Sequence, residues 1–526
     1  MPIGSQSLHP LTEIEVANGP GGSGSQNSTI PANQTLAWES VFSFGSPGDD
    51  TVLDVEYSGN YIYIYGKNAG DFTIGPQSSN CIAKNNNSQG YDYNSLFVAK
   101  LDMNGNCIWI SYVSANPTHG TYGYFYGNYG KISIDYQGNV FIVGQWYGSG
   151  GGNTYFGSIP FNPSGTSKTF VAKLDVNGSF KWVNGISSSC YCGVDTDSNG
   201  NVWVSSYTSN PTRADIRKYD TNGTQLFSTS LSGSGATLID EIKIDSKDNV
   251  YFAGGHHSSL SVIINGSSQT IPHSGFSYDM FIAKMNSTGY WQWFAKPVTS
   301  SSTSRAFHLG IHNDDKIYVS GYFYANLEIG NSSFSSGGSQ NGFIAEVDSN
   351  GTWKWANELS CSCTVNIGNV ITDNSGNIYT TGSVNNGVLQ IGNISINPQS
   401  TGFDGFIGKL SPTGTTLWGK SFGGLGNDFG NDIIVASNGS VFNAGIIDGT
   451  ASFGITSTTS TSSGNAIFLA RLSPDYDDDE IPDAIDSDDD SDFIGDNIDL
   501  CKFSVLGFKS TTALDHDGDG CHDILE

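Results

Sequence analysis

The chain reads as all-β: a seven-bladed β-propeller closed by its N-terminal strand, followed by a small irregular acidic segment. Two kinds of strand–turn–strand phrase alternate along most of its 526 residues, no long helix-period segment is visible, and acids crowd the last tenth. Glycine reaches 67 and aromatic residues 12 %, while charged residues make up only 14 %. That balance, rich also in Ser, Thr, Asn, Tyr and Val, suits many short strands joined by tight turns.

The first phrase is FVAKLDMNGNCIW, Phe97 to Trp109, repeated as FVAKLDVNGSFKW at Phe170, FIAKMNSTGYWQW at Phe281, FIAEVDSNGTWKW at Phe343 and FIGKLSPTGTTLW at Phe406. A weaker copy spans Asp215 to Phe227. Each is an apolar strand, a turn with glycine at a fixed offset, and a second strand carrying an aromatic. The second phrase is ISIDYQGNVFIVG, Ile132 to Gly144, with relatives at 52–66, 193–206, 242–254, 309–321, 370–382 and 433–445. Two such hairpins make one four-stranded propeller blade.

The second hairpin occurs seven times, and its partner is offset. LAWESVF, around Trp38, is an orphan outer strand, and IFLARLS, 467–473, is an orphan before it. Joined, they complete the seventh blade and leave no unpaired seam. The expected domains are a Gly/Ser/Asn-rich segment over 1–35, the propeller over 36–473 and the acidic segment over 474–526. The phrases over about 36–473 resemble the SBBP-type repeats of bacterial and archaeal propellers. That resemblance implies a fold and little about function, because propellers host many chemistries.

We label the strands of a blade a to d. The a–b and c–d connections are tight, whereas the b–c and d–a connections are long and leave on one face, so function is expected there and in its central funnel. One sector of that face is aromatic, with Tyr122, Tyr124, Tyr126, Trp146 and Tyr147. Such rings suit the flat faces of sugars or a protein interface, or else pack on one another to order Gly-rich loops.

No linear motif marks a catalyst. The Asp102–Gly105–Trp109 spacing is longer than the sialidase box, and AKLDMNGNCIW lacks the core of the quinoprotein docking motif. Repeated acids at the c–d turn, Asp102, Asp175 and Asp348, are expected to cap turns. His256–His257 and His308/His312 are weak candidates for a metal. No catalytic residue is assigned and the chain is expected not to be an enzyme, although a carboxylate dyad drawn from different blades would leave no linear motif.

Cys190/Cys192 and Cys361/Cys363 occupy equivalent d–a loops, so one device is used twice: a small local disulfide ring, or thiols for a soft metal. Outside the cell the disulfide is favoured. Cys81 and Cys107 remain as partners by elimination, and Cys501 pairs with Cys521.

The net charge of −28 is uneven: Asp475 to Glu526 holds 18 acids and 2 lysines. A calcium loop offers side-chain oxygens at positions 1, 3, 5, 9 and 12 and a carbonyl at 7. That ruler fits three times: Asp475, Asp477, Asp479, Ile481, Asp483 and Asp486; then Asp488, Asp490, Asp492, Ile494, Asp496 and Asp499; then Asp515, Asp517, Asp519, Cys521, Asp523 and Glu526. A disordered acidic tail would not repeat a six-point register. The segment resembles thrombospondin type 3 repeats, which implies Ca2+ as cofactor at those positions. Glu480 and Phe493 replace the usual glycine at position 6, so those two loops are expected to turn less tightly. Without calcium the segment is expected to be disordered.

An acidic chain without a basic stripe repels phosphate backbones, so no nucleic-acid partner is expected. No apolar run is long enough to span a membrane. No signal peptide is visible, yet an even eight cysteines and eleven Asn-X-Ser/Thr sequons point to an extracellular or cell-surface protein, and to a chain whose leader or later part lies elsewhere. The expected function is a binding or structural module for a glycan or a surface protein, held on a calcium-stiffened stalk. The rival is an extracellular carbohydrate-active enzyme, hydrolase or lyase. Carboxylates or a His/Arg/Tyr cluster converging in the funnel would favour the rival.

Overall fold

In a computed structural model of the chain, residues 35–499 are described apart from 75–80, 85–94, 116–122, 149–153, 164–166, 187–188, 275–276, 301, 313–315, 461–463, 478, 484, 490, 492–493, 497–498; residue 511 is described as well. Two compact units divide the chain: Val41–Phe453 with Ser457–Ala470, and Met1–Ser40 with Gly454–Thr456 and Arg471–Glu526.

The described residues form seven blades, each antiparallel through its strands a to d, and no helix. The innermost strands, a, are Thr51–Ser58, Gly123–Ile134, Val194–Thr196, Thr237–Ile244, Ser304–His312, Val365–Thr372 and Phe429–Val435, which number the blades 1 to 7. In blade 7 the order is Thr35–Phe44, Ala466–Asp475, Val441–Ile447, Phe429–Val435, so the N-terminal strand is the outer strand of the last blade. This is the expected closure.

The first phrase now has a physical reason. Its Asp accepts two backbone N–H groups across the turn, Asn177 and Ser179 to Asp175 Oδ1 at 3.0 and 2.9 Å, and likewise at Asp102 and Asp348. Its Gly178 sits at φ 80°, in the left-handed region that favours glycine. A Cβ there would also meet the Trp109 ring of the preceding blade at 2.7 Å. Trp109 in turn donates its indole N–H to the Val176 carbonyl at 3.0 Å. The same ring-on-turn contact joins Trp182 to Gly223 and Trp293 to Gly351. Thus the Asp, Gly and Trp of the phrase cap a turn and lock each blade to the next.

Between these locks lie apolar clusters shared by neighbouring blades, such as Tyr63, Tyr65, Leu96 and Val98 of blade 1 with Ile132, Val140, Ile142 and Phe170 of blade 2. The long b–c connections do not all line the funnel. Hairpins at Thr154–Phe161, Leu389–Ile396 and Thr450–Thr459 pair onto the outer strand of the preceding blade, extending blades 1, 5 and 6 to six strands. Much of the length variation therefore covers exposed edges.

Three disulfides are present among the described cysteines: Cys81–Cys107, Cys190–Cys192 and Cys361–Cys363. Cys501 and Cys521 lie outside the described residues.

Candidate functional site: the channel ring

Each strand a lines the central channel, and one register position in it gathers polar side chains. It is the residue paired with the one just before the glycine, or Ser206 in blade 3, that ends the second phrase: Asp54 with Tyr65, Lys131 with Val143, Glu241 with Ala253, His308 with Ser320, Asn369 with Thr381 and Asp432 with Ala444. In blade 3 the place falls to Gly193, whose carbonyl accepts the Ser205 N–H at 3.0 Å. A Cβ on Gly193 would stand 2.4 Å from the Ile242 nitrogen, so the close approach of blade 4 requires glycine.

A bulge sets this position. In blades 1, 4, 5, 6 and 7 the pairing shifts by one residue immediately before it. Bulges of this kind re-aim the side chains around them. The extra residues, Leu53, Asp240, Phe307, Gly368 and Asn431, line a cavity of about 370 Å³ together with Gly130 and Cys192, the residues before Lys131 and Gly193. All seven blades therefore contribute. Asp54, Lys131, His308, Asn366 and Ser383 complete the polar lining. Sites for small ligands run from about 300 to 1,000 Å³, so the cavity is of binding size.

Lys131 organises the charges. Its ammonium lies 2.8 Å from Glu241 Oε2 and 3.4 Å from Asp54 Oδ1. Burial works against a charged Lys131, but Asp54 and Glu241 hold its pKa above the usual lysine value. Burial alone would raise Glu241; Lys131, with His308 and Lys243, overrides it and brings Glu241 down to about 2. Asp54 goes the other way: burial, and then the neighbouring Asp432 carboxylate, push it well above the usual range. Burial likewise raises Asp432. The two carboxyls on one ammonium are thus shifted in opposite directions, Asp54 toward holding its proton and Glu241 toward losing it. Burial lowers His308 against the pull of Glu241, whose Oε2 lies 3.7 Å from its Nδ1.

The same groups hold the ring together. Asp54 Oδ2 accepts the Ile132 N–H at 2.7 Å and Asp432 Oδ2 the Val55 N–H at 2.6 Å, each from the next blade. One layer further along the strands, Asp195 Oδ2 accepts the Ile244 N–H at 2.7 Å and Lys243 meets Glu56 at 3.0 Å. At the other end, Arg305 grips Asp240 through two nitrogens at 2.7 and 2.5 Å, with its guanidinium among the Tyr191, Tyr278 and Phe307 rings. Six carboxyls face three cations across these layers, so the channel disfavours anionic ligands.

The sequence pointed elsewhere. Trp146 is only 2 % exposed, donates to Thr154 Oγ1 at 2.9 Å and packs edge-on against Phe161, so it belongs to a blade core and is withdrawn as a ligand platform. Tyr147 is half-buried. Tyr124 and Tyr126 lie on strand a of blade 2, with side chains outside the described set, and Tyr122 lies outside it altogether. Of the weighed histidines, His308 joins the ring while His312, four residues on, lies beside Asp373.

In the acidic segment the Asp475, Asp477 and Asp479 carboxylates bring oxygens within 4.8 Å of one another. The two described loops repeat their own bonding. Tyr476 N–H to Asp483 Oδ1 at 2.7 Å recurs thirteen residues on as Asp489 to Asp496 at 2.9 Å. Asp483 N–H to the Pro474 carbonyl recurs as Asp496 to Ser487, both at 2.9 Å. Glu480 adopts φ 74°, so the first loop makes the position-6 turn without glycine, contrary to the looser turn expected. Ile481, Asp486, Asp488, Ile494 and Asp499 are among the described residues; Asp490, Asp492, Phe493 and the whole third loop are not.

No family model matches the chain. Among curated proteins, a WD repeat-containing protein of Acanthamoeba polyphaga mimivirus is 23 % identical over 282 residues, 45 % of this chain and 20 % of that protein's length. Among solved structures, the Dos1 propeller is 11 % identical with TM-score 0.38, covering 84 % of this chain and 96 % of that one. The polysaccharide lyase Uly1 is 9 % identical with TM-score 0.38, covering 81 % and 90 %. A polysaccharide lyase titled PL25 ulvan lyase is 12 % identical with TM-score 0.37, covering 82 % and 97 %. The expectation that the chain is not an enzyme rested on a missing linear motif and is withdrawn: separate blades here bring carboxyls and an ammonium together in one channel, which no linear motif would show.

Proposed function

We propose that this propeller is a carbohydrate-active protein whose channel cavity takes a neutral, polyhydroxylated glycan and hydrolyses it. The observation that carries the reading is that Asp54 and Glu241, from different blades, meet Lys131 at 3.4 and 2.8 Å beside a cavity of about 370 Å³, with the Asp54 carboxyl shifted up and the Glu241 carboxyl shifted down. Asp54 would supply the proton to the departing sugar oxygen as the glycosidic bond breaks, water adding to the sugar carbon would return a proton to Asp54, Glu241 would hold Lys131 in place behind the cavity, and Asn366, Ser383 and Asn431 would bind hydroxyls. The excess of carboxyls favours a neutral glycan over a uronate, hence hydrolysis over elimination. The test is incubation of the full chain with a panel of neutral oligosaccharides and uronate-containing polysaccharides. New reducing ends without unsaturated products support the reading; unsaturated uronate products, or no turnover on any member, would overturn it.

We further propose that the acidic segment binds Ca2+ and that the protein works outside the cell. The convergence of Asp475, Asp477 and Asp479, and the repeated bonding, support the resemblance to thrombospondin type 3 repeats. Local Cys-X-Cys disulfide rings fit an oxidising compartment. Asp475, Asp477, Asp479, Asp483 and Asp486, with the Ile481 carbonyl, would hold the first ion, which would neutralise carboxylates that otherwise repel. Calorimetry at millimolar Ca2+ tests this; no uptake would sink it.

A further inference from the structure

Blade 4 carries a second polar cluster, away from the ring, that no part of the reading above uses. His256 ends strand b, Val250–His256, and Asp279 opens strand c, Asp279–Met285; the two are directly opposed partners. His256 is 0 % and Asp279 4 % exposed. Each carries a buried atom with no hydrogen-bond partner, His256 Nε2 and Asp279 Oδ1. Such orphans cost stability unless something meets them.

The tautomers follow from the partners. His256 Nδ1 lies 2.8 Å from the Ser258 carbonyl, and His273 Nε2 lies 2.5 Å from the Ser277 carbonyl. A carbonyl only accepts, so each of these nitrogens carries the proton. Nε2 of His256 and Nδ1 of His273 are left as bare lone pairs. The two rings stand 5.7 Å apart, and His257 stacks on His273 at 5.8 Å. Asp279 is held by its other oxygen, which accepts from Ser274 N–H and Oγ at 2.6 and 2.9 Å. Imidazoles that donate one N–H to a backbone carbonyl and present the other nitrogen are the usual arrangement behind a metal ligand.

We propose that His256 Nε2, His273 Nδ1 and Asp279 Oδ1 bind one transition-metal ion of the zinc class, with His257 or water in the fourth position. Two nitrogens and one carboxylate suit tetrahedral Zn2+ rather than calcium. The three donor atoms do not yet lie within 4.8 Å of one another, as the Asp475, Asp477 and Asp479 oxygens do. Binding therefore draws the His273 ring toward His256 Nε2 and Asp279 Oδ1.

The test titrates Zn2+ alone into the full chain, after chelator treatment and with Ca2+ in excess to occupy the acidic segment. One equivalent is expected to bind, with affinity falling at least about tenfold in both H256Q and H273A, and Co2+ in its place is expected to show the visible bands of a four-coordinate ion. No uptake, or uptake unchanged in either variant, would overturn the assignment. If H256Q does not fold, H273A decides, since that half-buried ring sits in a surface turn and its loss spares the strand pair.

Discussion

Lys131 Nζ meets Glu241 Oε2 at 2.8 Å across the one blade that offers no side chain at the ring position, because Gly193 stands there. The bridge from blade 2 to blade 4 exists because blade 3 yields the space. Removing one partner of a buried pair leaves the other charge stranded, at roughly 3–5 kcal/mol. K131M is expected to lose that much in denaturant unfolding. The K131M/E241Q double variant is expected to lose less than the sum of the two single changes.

The acid limb of stability should report the same pair. Glu241 is held at about 2 against an ordinary 4.5, so its contribution is present above 4.5 and lost as pH falls toward 2. Wild-type melting temperature is expected to fall more steeply than that of E241Q across this window. Parallel curves would show that Glu241 is not held as an anion.

The turn lock makes a cheaper prediction. G178A places a methyl at φ 80° and against the Trp109 ring, so a loss of about 1–3 kcal/mol is expected. W109A removes the ring from the same contact and is expected to lose about 3–5 kcal/mol. In the double variant the cost of G178A should shrink, because the ring it strikes is gone.

In the acidic segment, Glu480 holds φ 74° without being glycine. A left-handed residue with a side chain costs about 1–2 kcal/mol. E480G is therefore expected to bind Ca2+ about fivefold or more tightly in calorimetry, and weaker binding would show that the Glu480 side chain itself assists.

The blades were legible in the sequence because the Asp, Gly and Trp of each phrase do a local job that recurs with the blade. The closure was legible from the orphan strands around Trp38 and Phe468. The ring was not. Asp54, Lys131, Glu241 and His308 differ in type from blade to blade, and their common register appears only once the bulges are aligned. A signal was nonetheless present: each stands a fixed distance before its blade's a–b turn, and a search for polar residues at that offset would have found them. Trp146 misled for the opposite reason, since an aromatic in a Gly-rich stretch reads as exposed until the Thr154–Phe161 hairpin is seen beside it.

The channel account is tested most directly by D54N, whose amide keeps the side chain's shape and has no carboxyl proton to give. Soaked with the oligosaccharide that the wild type turns over, its crystals are expected to show a sugar in the cavity against residue 54, Lys131, Asn366 and Asn431, while turnover falls by about a hundredfold or more. A sugar seated on the outer edges of the blades, or wild-type turnover by D54N, would contradict the account.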